Sequence, residues 1–387
     1  KLLWLKKPEH RQFFRFFSTV MLPTVAGAGL VVGGVFVLRR VLERPVAHIR
    51  TGSQRRSLYP IDKPMGPSAE LALAAKDVKI DRKMHTLKNG EQMFYQLISP
   101  AGREPSHIVV FLHGYTSNGD VYVEVMSELA RRGALVVLPD LPCHGRSDGL
   151  LCYIPDWFPW VDLIWEFMDS VVTPLRSASR KSLRAFVSGL SLGGGLAVCL
   201  AVMRPNFFDG LIPLAPMLFV SDDVKPPLIV QVLFRRLLGP FKLTLPVTPS
   251  KDCDEYDFRF PEQGYDFTKK GNDMSMKGLK PRLATACELA FNFPEWMELN
   301  LKNVRTPFLI LHGRCDKVTD PAMSQRLYEE AAATDKELKL YDGAYHCEVF
   351  TCVPGHAKFL SKAWTPEQEA MTQQCLKDIS DWIAARI

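Results

Sequence analysis

Ala185-Phe186-Val187-Ser188-Gly189-Leu190-Ser191-Leu192-Gly193-Gly194-Gly195 is the stretch on which the reading of this chain turns. It starts as a short apolar strand, passes through Gly-Leu-Ser-Leu-Gly and runs into an Ala/Val/Leu-rich helix over residues 192–203. Glycines two before and two after Ser191 allow a sharp turn without side-chain collisions. The hydroxyl is then presented above the sheet edge, where the following helix offers its N-terminal dipole to negative charge. Gly and Ser are also ordinary turn residues, so the pentapeptide alone fits a plain strand-to-helix connection. The downstream order Ser…Asp…His decides between the two, and Ser191 is the candidate nucleophile.

Working outward, Val78–Leu87 and Gln92–Ile98 read as strands separated by Lys88-Asn89-Gly90, a hairpin signal. Ile108-Val109-Val110-Phe111-Leu112 is a continuous apolar run, as a strand buried on both faces requires. A helix follows over 122–132 and a strand over 135–138, then a turn-rich loop from Pro139 to Gly149. Residues 155–175 are helical, and their aromatics read as core packing. Gly210–Leu214 is another strand; residues 217–303 then break the alternation with proline, glycine and amphipathic pieces. The rhythm resumes with a strand at 307–311, a helix at 322–333, a strand at 338–341 and a last helix over 365–386. Strands alternating with helices imply an α/β fold whose mostly parallel sheet is covered on both faces. The core is expected at 77–216 and 304–387, with 217–303 as an inserted cap.

Acyl transfer through a serine needs a base to take its proton and a group to orient that base. Asp316 lies in the loop His312-Gly313-Arg314-Cys315-Asp316 after a strand and is the expected orienting carboxylate. Asp320, just before Pro321, reads as a helix cap. His346 follows the last strand, three residues after Gly343, and is the expected base. The loop at His113-Gly114 is placed to donate a backbone N–H to a developing oxyanion. The expected donors are the amides of Tyr115 and Leu192. The ring of His113 is read as structural, as are His144, Asp148, His312 and His356.

These motifs together resemble the monoacylglycerol lipase family of α/β-hydrolases. They are His113-Gly114, Gly145-Arg146-Ser147-Asp148-Gly149, Gly189-Leu190-Ser191-Leu192-Gly193, the run His312 to Asp320, and Gly343-Ala344-Tyr345-His346. Tyr153-Ile154-Pro155, Ala215-Pro216-Met217 and Lys280-Pro281-Arg282-Leu283 fit the plant-type lysophospholipase and caffeoylshikimate-esterase-like branch. The resemblance covers residues 78–387. It implies an α/β-hydrolase fold, a Ser191–His346–Asp316 triad, no metal or organic cofactor, and ester hydrolysis through an acyl-enzyme. Leu190 stands where His or Glu is commoner in the family, and Leu192 where Met is usual; both bear on substrate more than on reaction type. An acyltransferase on the same triad, a phenolic-ester esterase and a non-catalytic protein of this fold are the rival readings.

The net charge of +6 belongs to the N-terminus. Residues 1–56 hold 11 Lys/Arg against Glu9 and Glu43, so the remainder is acidic on balance. That distribution points to a membrane role for the first segment and away from nucleic-acid binding. Phe16 to Leu38 is a run of 23 uncharged residues between Arg15 and Arg39, long enough to cross a hydrocarbon core of about 30 Å. Residues 1–44 are therefore expected to form a basic segment with an uncleaved single-pass transmembrane helix at 16–38, and 45–76 a linker. A cleaved targeting peptide is the alternative. Nine cysteines without framework spacing suit a reducing, cytosol-like compartment. The cap piece Pro226 to Leu238 is apolar with two arginines and suits an acyl tunnel, a membrane interface or plain burial. A lipid ester taken from the bilayer is the expected substrate.

Overall fold

A computed structural model of the chain describes residues 51–177, 182–219, 256–275 and 280–387, together with Val232, Phe241 and Thr244. The expected span at 16–38 lies outside the described residues, as does the cap piece 226–238 apart from Val232. Among the described residues no helix is long and apolar enough to cross a membrane.

Eight strands form one sheet: β1 Val78–Thr86, β2 Gln92–Pro100, β3 His107–Leu112, β4 Ala134–Pro139, β5 Arg184–Leu190, β6 Gly210–Leu214, β7 Phe308–Gly313 and β8 Lys336–Tyr341. Their spatial order is β1-β2-β4-β3-β5-β6-β7-β8. The first two strands make the expected hairpin, with Gly90 at φ 86°, and pair antiparallel to each other and to β4. All other pairings are parallel.

Alternation along β3 shows how both faces are covered. Ile108, Val110 and Leu112 join one core with α4 (Trp157–Phe167) and α5 (Leu192–Met203). Val109 and Phe111 join the other, with α3 (Val123–Arg131) and the C-terminal α9 (Pro366–Ala384). Successive side chains of a strand point to opposite faces, so a strand apolar at every position is one covered twice. Trp157, Trp160, Trp165 and Phe167 are buried in the first core, as core packing predicts, while Phe158 is exposed.

The stretch 45–76 departs from the expected linker where it is described. Residues Gly52–Leu58 form α1, opened by a Thr51 capping box, and Pro67–Ala74 form α2. Arg55 is buried and donates to the carbonyls of Gly145 (2.6 Å), Gly149 (3.1 Å) and Ser147. Arg56 reaches the Arg146 carbonyl (2.9 Å) and Asp148 (2.8 Å). A Cβ on Gly52 would collide with Asp148, so the helix lies directly against the loop. The polar, proline-marked composition suggested a tether. Two arginines instead satisfy loop carbonyls that would otherwise be buried unpaired.

The segment expected to form the end of the cap is also docked. Pro261–Thr268 is α6, and the Asp257 carbonyl accepts the amide of Cys347 at 2.9 Å. Phe293–Asn300 (α7) packs its Phe293 against Trp157, ring centroids 4.2 Å apart.

Candidate active site

Four of the loops that leave the carboxyl ends of β3, β4, β5 and β6 contain a non-glycine residue at positive φ. These are Thr116 (64°), Cys143 (66°) with Cys152 (56°), Ser191 (58°) and Ala215 (39°), and they are the only such residues among those described. L-residues pay for that conformation, and its concentration along one sheet edge marks a functional rim.

Ser191 sits at the turn between β5 and α5 with φ 58° and ψ −118°. The two flanking glycines are required by contact as well as by conformation. A Cβ on Gly189 would overlap the backbone of Gly193, and one on Gly193 would overlap the Leu112 carbonyl. The turn is pinned by Ser191 N–H to Leu214 O (3.0 Å) and by Met217 N–H to Ser191 O (2.9 Å). Gly114 lies above it; a Cβ there would sit 3.6 Å from that of Ser191. Ser191 itself is half-buried.

Leu192 opens α5, so its N–H belongs to the first turn and has no intrahelical acceptor. Neither this amide nor that of Tyr115 bonds to an acceptor among the described residues. The Tyr115 side chain is turned away, its hydroxyl donating to Cys152 O at 3.0 Å. His113 shapes this loop from beneath. Its Nε2 accepts the Leu141 amide at 2.9 Å, so Nδ1 carries the proton and donates to Gly114 O at 2.8 Å. Burial and the neighbouring His144 ring push His113 down to about 3.

Asp316 and His346 are brought together. His346 Nδ1 donates to Asp316 Oδ2 at 2.6 Å, and both residues are buried. The two loops that carry them interlock. Arg314 N–H bonds Tyr341 O and Cys315 N–H bonds Ala344 O, both at 2.9 Å, while a Cβ on Gly313 would overlap the Ala344 carbonyl. Oδ1 of Asp316 takes the amides of Val318 (2.8 Å) and Thr319 (2.9 Å). Burial alone would raise this carboxyl, but the imidazoles of His346 and His312 reverse the effect and hold it well below the usual carboxylate range. Ser191 and His346 share no hydrogen bond here; such bonds are often long without substrate and close on binding. Asp320 caps α8 (Pro321–Glu330), accepting from Ala322 N–H at 2.9 Å, as its place before proline predicts.

Residues that sequence reasoning missed hold the loop on which His346 sits, Arg259 reaching Gly343 O at 3.2 Å and Glu348 the Tyr345 amide. Glu348, fully buried, accepts from Arg259 N–H (2.6 Å), from Gln368 Nε2 (2.7 Å) and from Tyr345 N–H (3.3 Å). Arg259 and Gln368 lie far off in the chain, and no local motif announces them. His312 was read as structural, yet its Nε2 lies 3.0 Å from Asp316 Oδ2. His356 pairs with Glu124 at 3.1 Å in another buried region. Among the described residues no group of His, Cys, Asp and Glu gathers with metal-holding geometry.

A mostly parallel sheet with a strained serine turn after its central strand, and an Asp–His pair after its last two, defines an α/β-hydrolase. Residues 103–350 match the family described as serine aminopeptidase, S33, and the chain belongs to that family. It is 28% identical to caffeoylshikimate esterase of Arabidopsis thaliana, over 81% of this chain and 88% of that protein. It is 26% identical to human monoglyceride lipase, over 67% of this chain and 80% of that protein. The fold is shared with a solved monoglyceride lipase of Saccharomyces cerevisiae. The TM-score is 0.61 at 17% identity, covering 85% of this chain and 98% of that one. The chain is an enzyme of the carboxylic ester hydrolase class.

Proposed function

We propose that this protein is a membrane-anchored serine esterase acting on lipid esters of the monoacylglycerol or lysophospholipid type. The observation that carries the reading is the 2.6 Å bond from His346 Nδ1 to Asp316 Oδ2. With its Nδ1 proton committed to the carboxylate, the ring's other nitrogen carries the lone pair a general base needs.

In this reading Ser191 Oγ attacks the ester carbonyl and His346 Nε2 takes its proton. The tetrahedral oxyanion is held by the amides of Tyr115 and Leu192. The imidazolium, stabilised by Asp316, then protonates the departing alcohol and leaves an acyl-enzyme. Water, deprotonated by the same ring, releases the acid and regenerates the serine. Each amide is worth roughly 10²–10³ in rate.

The lipid preference draws support from the monoglyceride lipases among the relatives and from the uncharged run at 16–38. The eight described cysteines are all free, which supports a reducing compartment for the catalytic domain. The Arabidopsis relative favours a second reading, a small phenolic ester as substrate.

Labelling with a fluorophosphonate probe, lost in Ser191→Ala, tests the nucleophile. A panel of monoacylglycerols, lysophosphatidylcholine and a caffeoyl ester, with products analysed in the presence of an added alcohol, tests substrate and acceptor. Folded wild-type protein that takes up no probe would refute the serine mechanism. Turnover of the caffeoyl ester alone would replace the lipid reading, and dominant ester formation with the alcohol would make the enzyme an acyltransferase.

A further inference from the structure

His312 occupies the position on β7 where the strand's pattern calls for an apolar residue. Phe308 and Ile310, four and two positions earlier on the same face, belong to the core shared with α4 and α5. His312 continues that row and is fully buried. An imidazole in such a place is unfavourable unless both nitrogens are satisfied. Both are. Nδ1 lies 2.7 Å from Ser324 Oγ on α8, and Nε2 lies 3.0 Å from Asp316 Oδ2 and 3.2 Å from Thr319 O.

The partners assign the ring's proton. Nε2 faces three oxygens, and the two nearest, a carboxylate and a carbonyl, can only accept, while the Thr319 hydroxyl is farther at 3.4 Å; Nε2 therefore carries the hydrogen. In the neutral ring Nδ1 then accepts from the Ser324 hydroxyl, which can serve as donor. Ser324 thereby selects the tautomer that points a donor at the carboxylate.

We infer that His312 is a positioning residue for catalysis, holding Asp316 Oδ2 in line with His346 from the side opposite the substrate-facing ring. The inference rests on the triad reading and deepens it. Asp316 Oδ1 is fixed by two amides, but a carboxylate held through one oxygen still rocks about its Cβ–Cγ bond. On Oδ2 the His346 bond is joined by His312 and by the Thr319 hydroxyl at 2.9 Å. The Thr319 proton is divided between Asp316 Oδ2 and Ala215 O, 3.1 Å away, whereas the His312 proton lies nearer Asp316 Oδ2 (3.0 Å) than Thr319 O (3.2 Å).

The test compares His312→Leu, His312→Gln, Ser324→Ala and Asp316→Asn in the full chain. Each is followed by thermal unfolding, fluorophosphonate labelling rate, and kcat and KM on a p-nitrophenyl acyl ester. Gln can place an N–H where Nε2 stood; Leu cannot. The expected result is a kcat about 10- to 100-fold lower in His312→Leu, the loss typical of one hydrogen bond to a charged group. KM should stay within about twofold, as for an interaction that acts on the chemical step. His312→Gln should recover most of the rate. The low-field proton resonance of the His346–Asp316 bond should move in the Leu variant and return in the Gln variant. Wild-type kcat in folded His312→Leu, or equal losses in the folded Leu and Gln variants, overturns the inference. If the Leu variant does not fold, Ser324→Ala decides: a lowered kcat at unchanged KM upholds the assignment, and an unchanged kcat overturns it. Full activity in Asp316→Asn would instead overturn the triad reading itself. An inactive Asp316→Asn beside a fully active His312→Leu sinks only the role given to His312.

Discussion

His113 and Leu141 join the loops after two neighbouring strands, the ring accepting the Leu141 amide through Nε2 at 2.9 Å. The same ring donates to Gly114 O, one residue before the amide assigned to oxyanion binding. His113→Ala leaves the buried Leu141 amide without a partner, at a cost of about 1–3 kcal/mol, and takes from Gly114 O one of its donors, the Ser117 amide at 3.3 Å remaining. The melting temperature should fall. In variant protein that remains folded, kcat should drop about 10-fold or more with a smaller change in KM, since a displaced oxyanion donor weakens only the transition state. Steady-state kinetics on a soluble ester check this.

Acid should destabilise the fold from about pH 6.5 downward, the usual histidine value. Burial lowers His107 and His144 to about 4 and His113 to about 3, so the unfolded chain binds protons that the folded chain refuses. Below the unfolded value each such group makes stability fall with falling pH. Asp140, raised by burial to about 6, and Glu124, raised for the same reason, act in the opposite sense over part of that range. His107 stands apart from the site, bonded to Ser106 Oγ at 2.9 Å. His107→Gln should flatten the dependence of unfolding free energy on pH between 4 and 6.5 by up to about 1.4 kcal/mol per pH unit. Urea melts at several pH values give the slope, and an unchanged slope would contradict the assignment.

Gly193→Ala should be more damaging than a glycine-to-alanine change inside a helix ordinarily is. Alanine is the better helix former by about 1 kcal/mol. Here its methyl group would overlap the Leu112 carbonyl, and the backbone must move to admit it. Overpacking of this kind costs about 1–3 kcal/mol. Loss of probe labelling together with a lowered melting temperature is the expected outcome.

Arg55→Met should destabilise the catalytic domain by about 2–5 kcal/mol, because it strips a donor from three carbonyls of one loop. A chain shortened to begin at residue 77 should fare worse, since it loses both α1 and α2. Comparing melting temperatures of chains beginning at 51 and at 77 measures the contribution; equal values would show that α1 and α2 are dispensable.

Asp316→Asn keeps the shape of the carboxylate but offers His346 an amide that can stabilise the wrong ring tautomer. If the proposed triad operates, a loss in kcat on the order of 10⁴ is expected, the size seen when the orienting carboxylate of a serine triad becomes an amide. Pre-steady-state acylation, followed with a chromogenic ester, reads it directly.

Sequence located the candidate site residues more readily than the contacts around them. Ser191 was legible because two glycines and the strand-to-helix switch surround it. Asp316 and His346 were legible because each follows a strand pattern at a set offset. His312 was visible in the same motif, but its bond to Asp316 depends on which face of β7 it takes, and a run apolar at every position does not reveal that. Glu348, Arg259 and Gln368 meet only through tertiary packing, with sequence separations of 89 and 20 residues from Glu348. The docking of α1 against the loop at 145–149 is hidden from the sequence for a related reason. Proline and polar residues signal irregular backbone, whereas a buried arginine is recognised only by the carbonyls it finds.

The close fit of Gly313 against Ala344 restricts where variety can arise in this protein. With room for no more than a hydrogen atom between those two turns, neither can be lengthened or padded without pulling His346 from Asp316. Change over evolutionary time must therefore leave the lengths of these two turns as they are, since each serves as the mould of the other.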